Sequence, residues 1–227
     1  MALTTNLVSY WKLDESSGNA SDSVGSLTLT NTNTATYAAA KINNGVSTVS
    51  ASSQKLGATG TNLPATTTAR TLNFWVKTSG AVNDGCVGWG SAHTTSAAFQ
   101  ILLTGGNNVY FGGYSDDLNA STTINDGSWH MITVTYVGGA SSALTIYVDN
   151  VSKATGNKSL NTTNQVFRIG CRADDSSFST VSIDEVGIWS RVLSTDEISS
   201  LYNGGAGFQY PFVSATTGAA FLLNFVK

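Results

Sequence analysis

The chain has 227 residues, of which 41% are hydrophobic and only 11% charged, with a net charge of -3. Soluble proteins average about 25% charged residues, so its polarity comes from Ser, Thr, Asn and Gly, a mixture that suits short strands and turns and is poor for helices. No run of Lys and Arg occurs, so a nucleic-acid partner is not expected, because phosphate binding needs clustered cations. No stretch reaches the ~20 apolar residues of a membrane span. The opening MALTTNLVSYW shows neither a basic n-region nor a long apolar core, so no secretory leader is legible. Cys86 and Cys171 allow at most one disulfide. Both flank apolar residues and read as small buried side chains.

Leu7–Leu13, LVSYWKL, reads as the first strand, with Leu7, Ser9, Trp11 and Leu13 on one face. An acidic loop with Asp14, Glu15 and Asp22 follows, then a short strand around Leu27 and Leu29. Residues 31–69 carry few large apolar groups and are expected to form loops and edge strands, one of them near Val46 and Val49. Thr71–Lys77, TLNFWVK, is a strong strand whose inner face is Leu72, Phe74 and Val76. Short strands are expected at Cys86–Gly90, Phe99–Leu103 and Val109–Gly112. His130–Val137 alternates strictly. Leu144–Asp149 runs into Asp149-Asn150, which tolerates the positive φ of a tight hairpin. Val166–Cys171 and Val181–Trp189 close the series.

Ser182–Tyr202 runs from that last strand straight into a helix. Ser194 is the expected N-cap, Glu197 completes a capping box, and Leu193 with Ile198 forms a hydrophobic staple. Asn203-Gly204-Gly205 ends the helix. Strands at ~8–15 residue spacing, with no helices between them, predict an all-β antiparallel jelly-roll sandwich with one short C-terminal helix. Residues 1–207 are read as one domain. Residues 208–227 are an apolar tail (Phe208, Tyr210, Phe212, then AAFLLNFVK), for which two readings stand: strands added to the sandwich, or an assembly segment against another subunit, homo-oligomer included.

Several segments in order resemble the laminin G-like jelly rolls of the concanavalin A-like lectin/glucanase superfamily over residues 7–205. They are LVSYWKLDESSG followed by DSVG, TLNFWVK, INDGSWHMITVTY, SALTIYVDN, FRIGC and IDEVGIWSRVLSTDEISSLYNGG. The departure is Asp149-Asn150, where the family usually has Asp-Gly. The resemblance implies the fold and no particular ligand.

The related glucanases place acids alternately along one strand. Here Asp184 and Glu185 are adjacent, and on a regular strand would point to opposite faces, so no enzyme activity is expected. His130 reads as a structural histidine. Calcium takes six to eight oxygens. Asp14 and Asp22 in the first loop, with Asp184 brought beside them if the first and last strands pair, are the candidate ligands of a structural Ca²⁺, and the resemblance points the same way. The competing reading gives these acids to loop amides. A sugar site needs an aromatic face ringed by polar groups. Trp89, Tyr114, Asp116, Asp117, Arg172 and Asp174 are the candidates.

The leading expectation is therefore a non-catalytic adhesion or binding module, extracellular or on a virion surface, recognising a glycan or cell-surface polysaccharide. A phage decoration or fibre component fits it. The alternatives are a structural assembly protein, bound to other virion or surface proteins through residues 208–227, and the lectin module of a secreted carbohydrate-active enzyme.

Overall fold

The computed structural model describes residues 2–80, 84–91, 93–104 and 108–213. The chain opens with β1 (Leu7–Trp11), β2 (Thr30–Thr32), β3 (Thr36–Ala39) and β4 (Asn44–Thr48). β5 (Lys55–Thr59), β6 (Arg70–Lys77), β7 (Asp84–Gly90), β8 (Ala98–Thr104), β9 (Asn108–Gly112) and β10 (Leu118–Thr123) follow. β11 (Trp129–Tyr136), β12 (Ser142–Val148), β13 (Val151–Lys158), β14 (Val166–Ile169) and β15 (Val181–Trp189) complete the strands, and α1 (Thr195–Tyr202) comes last.

The strands form two antiparallel sheets. The eight-stranded sheet runs β13-β12-β11-β6-β15-β4-β3, with β1 also paired to β15. The seven-stranded sheet runs β10-β9-β8-β7-β14-β5-β2. The Thr- and Asn-rich region before residue 70 supplies the edge strands β2 and β3, as its composition suggests. The Asp149-Asn150 turn has φ of 51° and 64°, the positive pair a two-residue hairpin needs.

One apolar core fills the space between the sheets. Leu72, Phe74 and Val76 of β6 meet Phe99, Ile101 and Leu103 of β8 across it. Trp11 of β1 stacks on Phe167 of β14, 4.7 Å between centroids. Arg70 is fully buried here. Its guanidinium donates to the Pro64, Ala65, Thr66 and Thr68 carbonyls and lies between the Phe99 and Tyr136 rings, so each of its nitrogens has a partner.

A second, smaller core lies on the outer face of the eight-stranded sheet. Trp75, Met131 and Trp189 point outward there and are covered by Leu193, Ile198 and Leu201 of the helix segment. Trp75 stacks on Tyr202. The capping box is present in full, and Arg191 grips the Glu197 carboxylate with two 2.7 Å bonds. Residues 208–213 extend this cover. Phe208 and Phe212 pack on it, and Phe212 and Tyr210 meet the Tyr10 ring. This stretch therefore packs on its own chain without forming a strand. Residues 214–227 lie outside the described residues.

Register shifts interrupt several strand pairs, and two of them change which face a residue takes. On β1 the register slips between Leu7 and Ser9, so Leu7 packs in the outer core and Trp11 in the inner one. The single face expected for Leu7 and Trp11 is thus corrected. On β15 the register shifts between Asp184 and Gly187, with Glu185 at φ 52°. Cys86 and Cys171 are free, buried thiols. No helix of the described residues is long and apolar enough to cross a membrane.

The N-cap is the testable part of this cover. Ser194→Ala removes the bond that the Glu197 amide donates to the Ser194 hydroxyl and should cost about 1 kcal/mol. For a domain of this size that lowers Tm by roughly 2–4 °C, measurable by calorimetry.

Candidate functional site

The outer face of the seven-stranded sheet differs from its counterpart because glycines line its middle. Cross-strand pairing sets Thr30, Gly57, Arg168, Gly88, Gln100 and Gly112 in one row across β2, β5, β14, β7, β8 and β9. A Cβ on Gly88 would stand 2.2 Å from the Gln100 Cβ. One on Gly57 would stand 2.8 Å from the Arg168 guanidinium. The glycines thus leave room for the two long polar side chains to lie along the sheet.

A hairpin, residues 171–178, folds over this floor. The Gly85 amide donates to the Ser177 carbonyl, and the Arg172 amide to that of Ser176. A Cβ on Gly85 would lie 2.1 Å from the Arg172 nitrogen, so only glycine admits the hairpin. On one side the Ala173 amide donates to Gln100 Oε1 at 3.1 Å. On the other, Asp175 accepts from Arg168 and from Lys55. These two cations pull the Asp175 carboxyl down to about 2.

The hairpin divides the sheet face into two clefts. One, of about 570 Å³, lies over β2, β5 and β14, with Lys55 and Arg168 in its wall. The other, of about 620 Å³, lies over β8 and β9. Its floor is Gln100, Leu102 and Tyr110; its wall is Tyr114, Asp117 and Arg172. Tyr114 and Ser115 both have φ of 62°. That left-handed geometry costs a side-chain-bearing residue about 1–2 kcal/mol, and it turns the exposed Tyr114 ring into the cleft mouth. Asp117 accepts from the Gly113 amide at 2.9 Å and from the Tyr110 hydroxyl. Partial burial, then Asp117, raises the Tyr110 hydroxyl above its usual value. Arg172 has its Nε occluded with no hydrogen-bond partner.

Of the sequence-predicted site residues, Tyr114, Asp117 and Arg172 meet in this cleft. Asp116 stands beside it, bonded to the Ser159 amide and 3.3 Å from Lys158, and pins the loop. Asp174 is held by Ser176 on the hairpin. Trp89 is a correction. It is fully buried on the inner face of β7, its indole N–H donates 2.8 Å to the Pro64 carbonyl, and it packs on Phe99. Gln100 was missed, although the signal was there: β8 alternates Phe99, Ile101 and Leu103 inward against Gln100, Leu102 and Thr104, the pattern of a strand with a polar outer face.

The acids expected to bind calcium are arranged differently. The Asp22 carboxylate accepts from the Tyr10, Val24 and Gly25 amides and so shapes its own loop. The β15 bulge turns Asp184 and Glu185 to the same side, contrary to the opposite faces that a regular strand would give them. Asp184 accepts from the Ile42 and Glu185 amides. Glu185 accepts from the Tyr10 hydroxyl and from Gln209, which also reaches Asp14. Each of these acids thus faces a protein N–H or O–H donor, and among the described residues no three Asp, Glu, His or Cys side chains group around a common centre.

Burial, then the mutual repulsion of the two, raises Asp184 well above the carboxylate range. Burial also raises Glu185, opposed by the Tyr10 and Gln209 bonds. His130 is structural: its ring bonds Asp149 and Asp126, which outweigh burial and raise its pKa.

The architecture, two antiparallel sheets with a polar cleft on one outer face and a helix latch on the other, defines a jelly-roll module with a surface site. The concanavalin A-like lectin/glucanase superfamily model, in its laminin G form, matches residues 43–199. The chain belongs to that family. Domain 4 of AbnA, a GH43 extracellular arabinanase from Geobacillus stearothermophilus solved with arabinotriose, superposes with TM-score 0.65 at 20% identity over 86% of this chain and 97% of that one. The binding domain of Paraclostridial Mosquitocidal Protein 1 gives 0.68 at 17% identity, covering 90% of this chain and 53% of that one. The botulinum neurotoxin serotype D binding domain gives 0.64 at 14%, covering 88% and 52%. The chain thus spans about half the length of the two toxin domains, and likeness at these identities establishes the fold alone. No curated protein matches the sequence.

Two outcomes follow from the acids. Glu185 is easier to protonate in the folded state, so its share of stability is present below its unfolded value near about 4 and fades as pH rises through the raised folded one. Glu185→Gln should therefore flatten the fall in Tm between pH 5 and pH 8, with Asp184 accounting for the remaining slope. EDTA should leave Tm unchanged if these donors alone hold the acids, whereas a drop of several degrees would show a bound calcium.

Proposed function

We propose that the chain is a non-catalytic carbohydrate-binding module that holds a glycan in the cleft over β8 and β9. One observation carries this. Tyr110 and Tyr114 bring two aromatic rings to the same cleft as the Gln100 amide, the Asp117 carboxylate and the Arg172 guanidinium. Apolar sugar faces stack on such rings while amides and charges take the hydroxyls. The arabinanase domain crystallised with arabinotriose is a precedent for a sugar on this fold.

The non-catalytic part rests on where the carboxylates stand. Glycosidases work with two carboxyl groups about 5–9.5 Å apart across the scissile bond. In this cleft Asp117 is the one carboxylate among the described lining residues. The Asp184–Glu185 pair belongs to the other sheet and is buried, with Glu185 bonded by Gln209 of the C-terminal stretch and Asp184 by backbone amides. We place the protein outside the cell on the same reading, since a polysaccharide ligand is met there.

Titration calorimetry with arabinotriose, alongside a glycan array, tests the proposal. Binding should appear, and Tyr114→Ala should weaken it by roughly tenfold or more, the cost of removing a central aromatic contact. Silence across the array, or binding unmoved by Tyr114→Ala and Tyr110→Ala together, overturns it.

A further inference from the structure

We propose that the β8–β9 cleft selects the terminal, carboxylate-bearing residue of an acidic glycan, gripped by Arg172; this rests on the glycan-binding reading above. Two features of the cleft carry it, an uncommitted cation and a closed side.

The cation is found by elimination. Of the four arginines, Arg70 spends its guanidinium on backbone carbonyls, Arg168 on Asp175 and Arg191 on Glu197. The Arg172 side chain has neither a hydrogen bond nor an ion pair among the described residues, and its Nε is shut away from water. Buried donors without partners are uncommon in native proteins. The other charges nearby are committed. Lys158 donates to the Asp117 carbonyl and pairs with Asp116. Asp117 is occupied by the Gly113 amide and the Tyr110 hydroxyl. Asp174 is occupied by Ser176. What remains at the wall is a planar guanidinium, which matches a carboxylate through two parallel N–H bonds.

The closed side comes from the hairpin. It lies across β7, fixed by the Ala173–Gln100 bond on one flank and by Asp175 on Arg168 and Lys55 on the other. A polymer cannot continue along the sheet from this cleft to the one over β5 and β14. A chain end can enter, with its last sugar against Tyr114 and its carboxylate at Arg172.

Calorimetry on the intact protein tests this with pairs of probes. Sialyllactose is set against lactose, and trigalacturonate against galactotriose. At least one acidic member should bind about tenfold tighter than its neutral partner, and the advantage should shrink in high salt. Arg172→Gln should bring that pair within about twofold by weakening the acidic member more than the neutral one, and Arg172→Lys should keep part of the difference. Long homogalacturonan should bind no better per mole of chain than trigalacturonate. Equal binding of acidic and neutral partners by the unaltered protein overturns the proposal but leaves the glycan-binding reading standing. Affinity that grows with the number of internal units overturns end recognition. Loss of all binding, neutral and acidic, on the unaltered protein overturns both readings. If Arg172→Gln does not fold, as judged by its melting curve, the acidic-against-neutral and length comparisons still decide.

Discussion

The pairing of β15 holds the molecule together. This one strand is hydrogen-bonded along one edge to β6, and along the other to β4 and then β1, so it ties the first strand of the chain to the last. Its bulge at Glu185 lets both of its faces be used. Ile183, Val186 and Ile188 enter the inter-sheet core, and Trp189 enters the outer one. Fully burying each such side chain contributes about 1.5–3 kcal/mol. A regular strand would have carried Ile183 and Val186 to opposite faces. The positive φ at Glu185 is therefore the local cost of keeping the core continuous, and it is also what sets two carboxyl groups side by side.

That arrangement leaves the two outer sheet faces unlike each other. The outer face of the eight-stranded sheet is consumed by Trp75, Trp189, the helix and residues 208–213, and its acids are used up by Tyr10, Gln209 and backbone amides. No helix of the described residues covers the outer face of the seven-stranded sheet. Its floor is polar and glycine-rich, its cover is a short hairpin, and its tyrosines are left partly open. The same chain thus spends large apolar residues on one outer face to latch its ends together and withholds them from the other. On the open face, Tyr114 and Ser115 take left-handed backbone geometry at the mouth of the β8–β9 cleft.

Much of the fold was legible because it rests on local rules. The alternation of Leu72, Phe74 and Val76, the Asp149-Asn150 turn and the Ser194–Glu197 box each depend on a few neighbouring residues. The bulges were not legible, since a bulge is fixed by the partner strand's register and leaves no mark in the pattern of its own residues. This is why Leu7 was assigned the face of Trp11, and why Asp184 and Glu185 were set apart. The site divided in the same way. Tyr114, Asp117 and Arg172 stand in loops, where exposure can be guessed from composition. Trp89 sits on a strand between glycines, and only the sheet shows that the glycines face out and the indole faces in.

The glycines explain how a cleft can form on a sheet at all. A sheet face with ordinary side chains is a ridged surface on which a backbone hairpin would stand off by a side-chain's thickness. Gly85 removes that thickness under Arg172, where a Cβ would already be in collision with the main chain. The hairpin then sits on the strand backbone itself, low enough for Ala173 to bond the side chain of Gln100 and for Arg172 to become a wall of the cleft beside it. The position of Arg172 is therefore set by a missing side chain on β7, and a methyl group added at Gly85 would displace this wall of the cleft by pushing on the main chain at Cys171 and Arg172.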